Sequence, residues 1–332
     1  MTLAVLVVLL AMLSYEAYTI ALARRVARES LPPNVGNFEP IRAPLEADPS
    51  REEFEFAVVG DPNASKTFER IIARLRGEPL SFLVLLGDMA PHARPRYHRF
   101  LLSRWVDALA VPFPVFCVVG NHDVDDAGFT LADFERTYGP SNCCFSHRGC
   151  LFILLRILDV PVGGTTTRES LEFLRSTLAA RREGHDRVFL FLHVPPTLSK
   201  SIASRAFEGA EEFLALCDQY RVDYVFCGDH HGYARVRVRA TAYLVSGGGG
   251  APLRRRKSGH FYHAVVLRVG RDRVEERVLQ VGKATFPWGH ALKRLAIARY
   301  YPWMAANRRL ATFLTACTVA VCGWLLWRLL SS

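Results

Sequence analysis

Apolar positions along this chain follow three regimes. Residues 3–13 are unbroken apolar, and the run continues to about Ala23 with only Ser14, Tyr15, Glu16, Tyr18 and Thr19 interrupting it. A second aperiodic run covers 310–330. At about 1.5 Å per residue it is long enough to cross a bilayer core. Between the two, short β-branched runs alternate with segments of helical spacing.

In that middle, 54–60 reads as a buried strand ending in Asp61. A helix follows whose Phe68, Ile71, Ile72 and Leu75 share a face, stopped by Gly77. Residues 82–86 form a second strand ending in Gly87-Asp88, and 96–110 form a helix carrying Leu101, Trp105 and Leu109. A third strand, 113–119, ends abruptly in Gly120-Asn121-His122-Asp123. The unit repeats with strand 150–158 and a helix through Leu171, Leu174 and Leu178, opened by a capping box at Thr166 and Glu169. Strand 187–192 ends in His193, a helix lies near 208–220, and strand 224–227 ends in Gly228-Asp229-His230-His231. Four short segments, 235–239, 243–246, 262–269 and 274–281, read as antiparallel strands packed beside the first sheet. Alternating βα units followed by β-rich sequence predict an α/β fold, a two-sheet αββα sandwich.

With 332 residues, half of them apolar, there is room for one catalytic domain plus appendages, and disorder is not the default. Lys and Arg outnumber Asp and Glu by 42 to 32, a net charge of +10. The excess gathers beside the apolar ends and in the C-terminal third, at Arg24-Arg25, 254–257, Lys293-Arg294 and Arg308-Arg309. That placement suits an anionic membrane surface or an anionic substrate. No aromatic-basic groove is evident, which disfavours nucleic acid as a partner.

Arg24, Arg25 and Arg28 follow the first apolar run, and Arg308 and Arg309 precede the second. The positive-inside rule therefore expects a two-span membrane protein with its central domain in the cytoplasm rather than exported, although Arg328 lies beyond the second span. Ala21-Leu22-Ala23 resembles a signal-peptide cleavage site, but no Lys or Arg precedes the apolar core. The expected organisation is a transmembrane helix or uncleaved signal anchor (1–23), a linker (24–51), a catalytic domain (52–283), a basic aromatic juxtamembrane segment (284–309) and a second transmembrane helix (310–330). Five prolines and no hydrophobic period mark 31–51 as linker, and the Trp, Tyr, Lys and Arg of 286–303 suit a helix lying on headgroups.

Eight cysteines do not make a disulfide scaffold at this length. Cys117 and Cys227 fall inside strand runs and read as core residues. Cys143, Cys144 and Cys150 share what reads as a loop, where an oxidising compartment would let them pair, and their spacing is not that of a zinc site. Cys317 and Cys322 lie in the second apolar run.

Five strands thus end in polar tips: Asp61, Asp88, Asn121-His122, His193 and Asp229-His230-His231. One such tip is ordinarily a cap or a turn. Five on buried strands form a mixed oxygen and imidazole donor set that suits Mn, Fe or Zn better than Ca. Two such ions about 3.5–4 Å apart would clamp an in-line displacement at phosphorus.

At these residues the chain resembles the calcineurin-like metallophosphoesterases, whose blocks run Asp-x-His, Gly-Asp, Gly-Asn-His-Asp/Glu, a lone His and Gly-His-x-His. Here they read Gly60-Asp61-Pro-Asn63, Gly87-Asp88, Gly120-Asn121-His122-Asp123, His193 and Gly228-Asp229-His230-His231, over about residues 54–283. The resemblance implies that Asp88 bridges two divalent metals, that Asp61 and His231 hold the first, and that Asn121 and His193 hold the second. It implies that His122 contacts the phosphate and protonates the leaving oxygen, that Asp123 orients its imidazole, and that a metal-bound hydroxide attacks from the opposite side. Two positions depart from the pattern. Asn63 stands where the family has His, and Asp229 where it has the first His of the last block. An Asn carbonyl holds metal more weakly than imidazole, and Asp229 favours a harder ion, Mn or Mg over Zn.

The reading is a membrane-anchored, metal-dependent phosphoesterase acting on a phosphate ester or pyrophosphate, with the bilayer and a lipid-linked phosphorylated substrate as expected partners. Its rival is a catalytically weak or inactive member of the fold serving as a binding or scaffold domain. Ser246-Gly-Gly-Gly-Gly and the basic 254–257 run add a candidate phosphate or headgroup contact, weighed equally against a plain solvated loop.

Overall fold

The computed structural model describes residues 2–198, 207–254, 259–285 and 288–331, so most of the basic 254–257 run lies outside the described residues. The chain divides into two compact units, Met1–Ser30 with Phe286–Ser332, and Leu31–Thr285. Helix α1 (Thr2–Val26) opens the first.

The larger unit runs α2 (Phe38–Glu46), β1 (Phe54–Val59), α3 (Lys66–Leu75), β2 (Leu80–Leu85) and α4 (Pro95–Arg104), the last extended by a π-helical turn (Trp105–Leu109). It continues with β3 (Val115–Cys117), α5 (Leu131–Tyr138), β4 (Cys143–His147), β5 (Cys150–Leu154), α6 (Thr167–Arg181), β6 (Arg187–Leu192), α7 (Ala210–Gln219) and β7 (Tyr224–Cys227). Strands β8 (Tyr233–Val238), β9 (Thr241–Ser246), β10 (Tyr262–Val269) and β11 (Val274–Val281) complete it. One sheet is ordered β11-β10-β1-β2-β3 and the other β4-β5-β6-β7-β9-β8. This is the two-sheet metallophosphoesterase-like sandwich expected.

The late strands do not all join the first sheet. β10 and β11 extend it antiparallel beside β1, whereas β8 and β9 finish the second sheet, with β9 parallel to β7. Burial explains the difference. Every residue of β9 is buried, as an interior strand requires, while β8 alternates like an edge.

The inner faces of the two sheets meet in a phenylalanine core. Phe145, Phe152, Phe189 and Tyr224 occupy directly paired positions on β4 to β7, and their rings stack at centroid distances of 5.0, 5.1 and 5.8 Å. Phe56 and Phe82 of the first sheet meet Phe152 edge-on at 5.5 and 5.0 Å. Each such ring removed from water stabilises by roughly 1.5–3 kcal/mol, and edge-to-face contacts add to this. Leu171, Leu174 and Leu178 of α6 and Phe213 of α7 cover the outer face of the second sheet.

Three expectations are corrected here. The 24–51 segment is not a bare linker: α1 runs to Val26, and α2 buries Ile41 and Leu45 in the inter-sheet core. Pro40 lies in the first turn of α2, where a missing N–H costs nothing, and this disguised the helix in sequence. The Thr166/Glu169 capping box does not form. Thr166 makes no side-chain cap, and Glu169 is drawn instead into an ion pair with Arg156 at 2.7 Å. A complete box caps α5 at Thr130 and Asp133, a helix the sequence reading missed. The three clustered cysteines occupy a hairpin, not a loop, with Cys143 paired to Leu154 and Cys150 to His147. Cys143 and Cys150 therefore stand at opposite ends of the β4–β5 ladder, and all three thiols are free.

The smaller unit adds α8 (Trp288–Leu295), a π-helical turn (Ala296–Tyr300), α9 (Tyr301–Ala306) and α10 (Arg308–Leu330). Leu6 packs with Cys322 and Leu325, and Glu16 accepts a hydrogen bond from Thr315, so α1 and α10 run antiparallel. Both are long and apolar enough to be candidate membrane spans.

Candidate metal centre

Local backbone geometry builds the site at the C-terminal tips of strands from both sheets. Asp61 follows β1, Asp88 follows β2, Asn121 lies beyond β3, His193 follows β6, and Asp229 and His231 lie beyond β7. Asp61, Asn63, Asp88, Asp229 and His231 all adopt left-handed backbone conformations with φ between 52° and 58°. Non-glycine residues adopt that region at a cost, and such strain concentrates at functional sites. Close approach is bought with glycine. A Cβ on Gly120 would sit 2.1 Å from the Asp88 amide nitrogen, and one on Gly247 would sit 2.5 Å from the His231 nitrogen. The glycine run after β9 thus approaches the site's own backbone, where the sequence suggested a ligand contact.

Asp61, Asp88 and His193 are buried, and each places one potential ligand atom within 4.8 Å of the other two. His193 Nδ1 donates to the Leu86 carbonyl at 2.7 Å, which turns Nε2 toward the site. That nitrogen lies 3.0 Å from Asn121 Oδ1 and 3.3 Å from Asp88 Oδ1. His231 repeats the arrangement, with Nδ1 donating to the Pro252 carbonyl at 2.9 Å and Nε2 3.4 Å from Asp61 Oδ1. Histidines anchored through one nitrogen by a backbone carbonyl are oriented as metal ligands are.

Neither Asp61 oxygen, nor Asn63 Oδ1, makes a well-formed hydrogen bond, although all three are buried. Buried polar atoms without partners are costly, and a cation among them would remove that cost. The donor set fits divalent metal. Its electrostatics point the same way. Burial, opposed by His193 and reinforced by Asp88 and Asp229, raises the Asp61 carboxyl well above the usual range. Burial also opposes charge on His193, yet Asp88, Asp61 and Asp229 together hold its pKa well above the ordinary histidine value. The pocket demands positive charge.

His122 stands at the edge of this cluster, its backbone amide donating to Asp88 Oδ1 at 2.8 Å and its half-exposed ring Nε2 3.9 Å from Asp88 Oδ2. The role implied for Asp123 is not the one seen. Its carboxylate oxygens accept from the Ala90 and Gly120 amides at 3.0 and 2.9 Å, so it clamps the two metal-site loops together instead of holding the imidazole. Burial, with Asp88 adding to it, pushes that carboxyl up to about 7. His230 is wholly buried, and Asp229 is 2% exposed.

A cleft of about 280 Å³ opens beside His122 and is lined by His92, Arg94, Arg96, Asn121 and Asp125. Arg94 is held by Asp125 at 2.6 Å. The sequence reading missed these arginines. Their one signal was a basic loop directly following Gly87-Asp88.

The model of the calcineurin-like phosphoesterase family matches residues 54–233, and the chain belongs to that family. A comparison with curated protein sequences finds no match. Among solved structures, GAP50, the anchor in the inner membrane complex of Plasmodium, aligns with TM-score 0.55 at 14% identity, covering 75% of this chain and 95% of that one. A dimetal phosphatase from Danio rerio aligns with TM-score 0.53 at 15% identity, covering 71% and 100%. The purple acid phosphatase PPD1 from yellow lupin (Lupinus luteus) aligns with TM-score 0.51 at 18% identity, covering 68% and 52%. At these identities the likeness is one of fold.

Proposed function

We propose that this protein is a membrane-anchored, metal-dependent phosphoesterase that hydrolyses a phosphate ester or pyrophosphate, with a lipid-linked phosphate as the substrate class its tethering favours. One observation carries the reading: buried Asp61, Asp88 and His193 bring ligand atoms within 4.8 Å of one another, with Asn121 Oδ1 3.0 Å from His193 Nε2. Asp88 would lie between two ions, with Asp61 and His231 holding one, Asn121 and His193 the other, and Asn63 and Asp229 completing the set. The carboxylate-rich mixture suits Mn, with Fe or Zn the alternatives. When bound, two such ions supply Lewis acidity at phosphorus and a nucleophile from water.

The chain's own residues would do the rest. His122, fixed through its backbone by Asp88 and open to the cleft, protonates the leaving oxygen. Asp123 keeps the Asp88 and Asn121 loops in register. Arg96 is exposed, makes no ion pair among the described residues, and offers its guanidinium to an anionic substrate. The flanking Arg24, Arg25, Arg28, Arg308 and Arg309 favour a cytoplasmic domain.

The test uses the full chain in detergent with p-nitrophenyl phosphate and its bis-ester, with Mn added, beside His122→Ala and Asp88→Asn. Mn-dependent turnover lost in both variants is the expected result. No turnover with any divalent ion, from a chain shown to be folded, would contradict it and leave a binding role for the fold.

A further inference from the structure

The smaller unit contains a cavity of about 670 Å³ beside α1, α9 and α10. Arg24, Arg308, Glu16 and Thr315 are among its polar lining, with Thr312 and Tyr301, and Ile20, Met304 and Ala311 give it an apolar wall. The polar residues are layered. Arg24 lies eight residues from Glu16 on α1 and Arg308 seven from Thr315 on α10. At 1.5 Å per residue both arginines therefore stand about 10–12 Å along the helix axes from the hydrogen-bonded pair. Glu16 Oε1 accepts from Thr315 Oγ1 at 2.6 Å, which ties the two helices at one depth and forms the floor of the cavity. The arginines form its rim.

This layering is charge-selective. Arg24 and Arg308 are exposed and make no ion pair among the described residues. Arg308 also sits in the first turn of α10, where the helix dipole opposes a cation and welcomes an anion. Glu16 Oε1 at the floor is engaged by Thr315 and offers an anion no donor there. The two guanidinium groups favour a phosphate at the rim, and the apolar wall below it offers cover to a hydrocarbon chain. An ionisable residue inside a candidate span is seldom retained without such a role.

We propose that this cavity binds one anionic phospholipid, its phosphate between Arg24 and Arg308 and an acyl chain along Ile20, Met304 and Ala311. The site is separate from the metal centre, and it rests on the reading of α1 and α10 as membrane spans. A general attraction of basic residues to an anionic surface would need the arginines but not the cavity, and this separates the two explanations.

Full-length protein is reconstituted into nanodiscs of phosphatidylcholine with a minor fraction of phosphatidylglycerol, re-extracted, and its retained lipid counted by mass spectrometry. One phosphatidylglycerol per chain is expected. Retention should weaken about thirtyfold in the Arg24→Gln/Arg308→Gln double variant, at roughly the surface value of one phosphate contact per arginine. It should also be lost in Ala311→Phe, which fills the wall and leaves the charges intact. Displacement by inorganic phosphate alone would overturn the lipid assignment. Retention that survives both variants, or equal retention of the two lipids, would overturn the site. A chain that fails to float with vesicles would overturn the proposal and the membrane reading together, whereas one that floats without retaining phosphatidylglycerol would overturn the proposal alone.

Discussion

His193 Nε2 faces Asn121 Oδ1 across 3.0 Å while its Nδ1 donates to the Leu86 carbonyl, so a single proton on Nε2 joins the two facing atoms. The carboxylates around His193 favour that proton, and a metal ion at this point would replace it. With Asp61 and Asp88 alongside, divalent cation is the occupant that also serves the carboxylates. Replacing His193 by Ala should lower the Mn retained per chain and reduce kcat at least about hundredfold, the loss expected for a disrupted metal site. Metal analysis of the two proteins checks this, and unchanged metal content would contradict it.

His122 and Asp123 should separate cleanly. His122→Ala removes a proton donor and should cost about 10²–10⁴ in kcat at unchanged metal content and Tm. Asp123→Ala strands two buried amides, those of Ala90 and Gly120, at roughly 1–3 kcal/mol each, and should lower Tm by several degrees. Thermal melts of both variants decide it. An unchanged Tm in Asp123→Ala would restore the imidazole-orienting role.

Stability should fall on acidification through two buried histidines remote from solvent. Burial lowers both His98 and His263 to about 4, although the Asp123 and Phe261 carbonyls they face oppose the shift. Unfolded, each binds a proton below its ordinary value of about 6.5. Protonation therefore favours the unfolded chain. The stability tied to their neutral forms is complete above about pH 6.5 and is lost as pH falls toward 4, on the order of 3 kcal/mol for each. Asp123, pushed up to about 7, takes up a proton over the same window with the opposite effect. The check is therefore a comparison: between about pH 6.5 and 4 the natural chain should lose more in Tm than His263→Asn does.

The phenylalanine ladder should behave as one packed unit. Phe152 touches rings from both sheets, so Phe152→Ala should cost about 3–5 kcal/mol. Denaturant titration measures this, and a cost below about 1 kcal/mol would show that the sheets do not depend on it.

Much of this molecule was legible because strand runs and their polar tips obey simple rules. Asp61, Asp88, Asn121 and His193 each follow a buried strand, so their convergence could be expected before any coordinates. What was hidden depended on tertiary partners. Glu169 serves Arg156 instead of a cap, and β9 joins β7 because its burial on both faces suits an interior position. α2 was masked by Pro40 and Pro44, and its place rests on Ile41 and Leu45 packing into a core assembled from distant strands. The clamp made by Asp123 was invisible for a related reason, since backbone amides carry no sequence signature.

The most direct test of the account is calorimetric titration of Mn into the metal-stripped, full-length protein, with Asp88→Asn alongside. The account predicts two ions bound by the natural chain and loss of binding in the variant, since Asp88 brings a ligand atom within 4.8 Å of those of both Asp61 and His193. A folded chain that binds no divalent ion would contradict it, and the contact between His193 and Asn121 would then be an ordinary hydrogen bond.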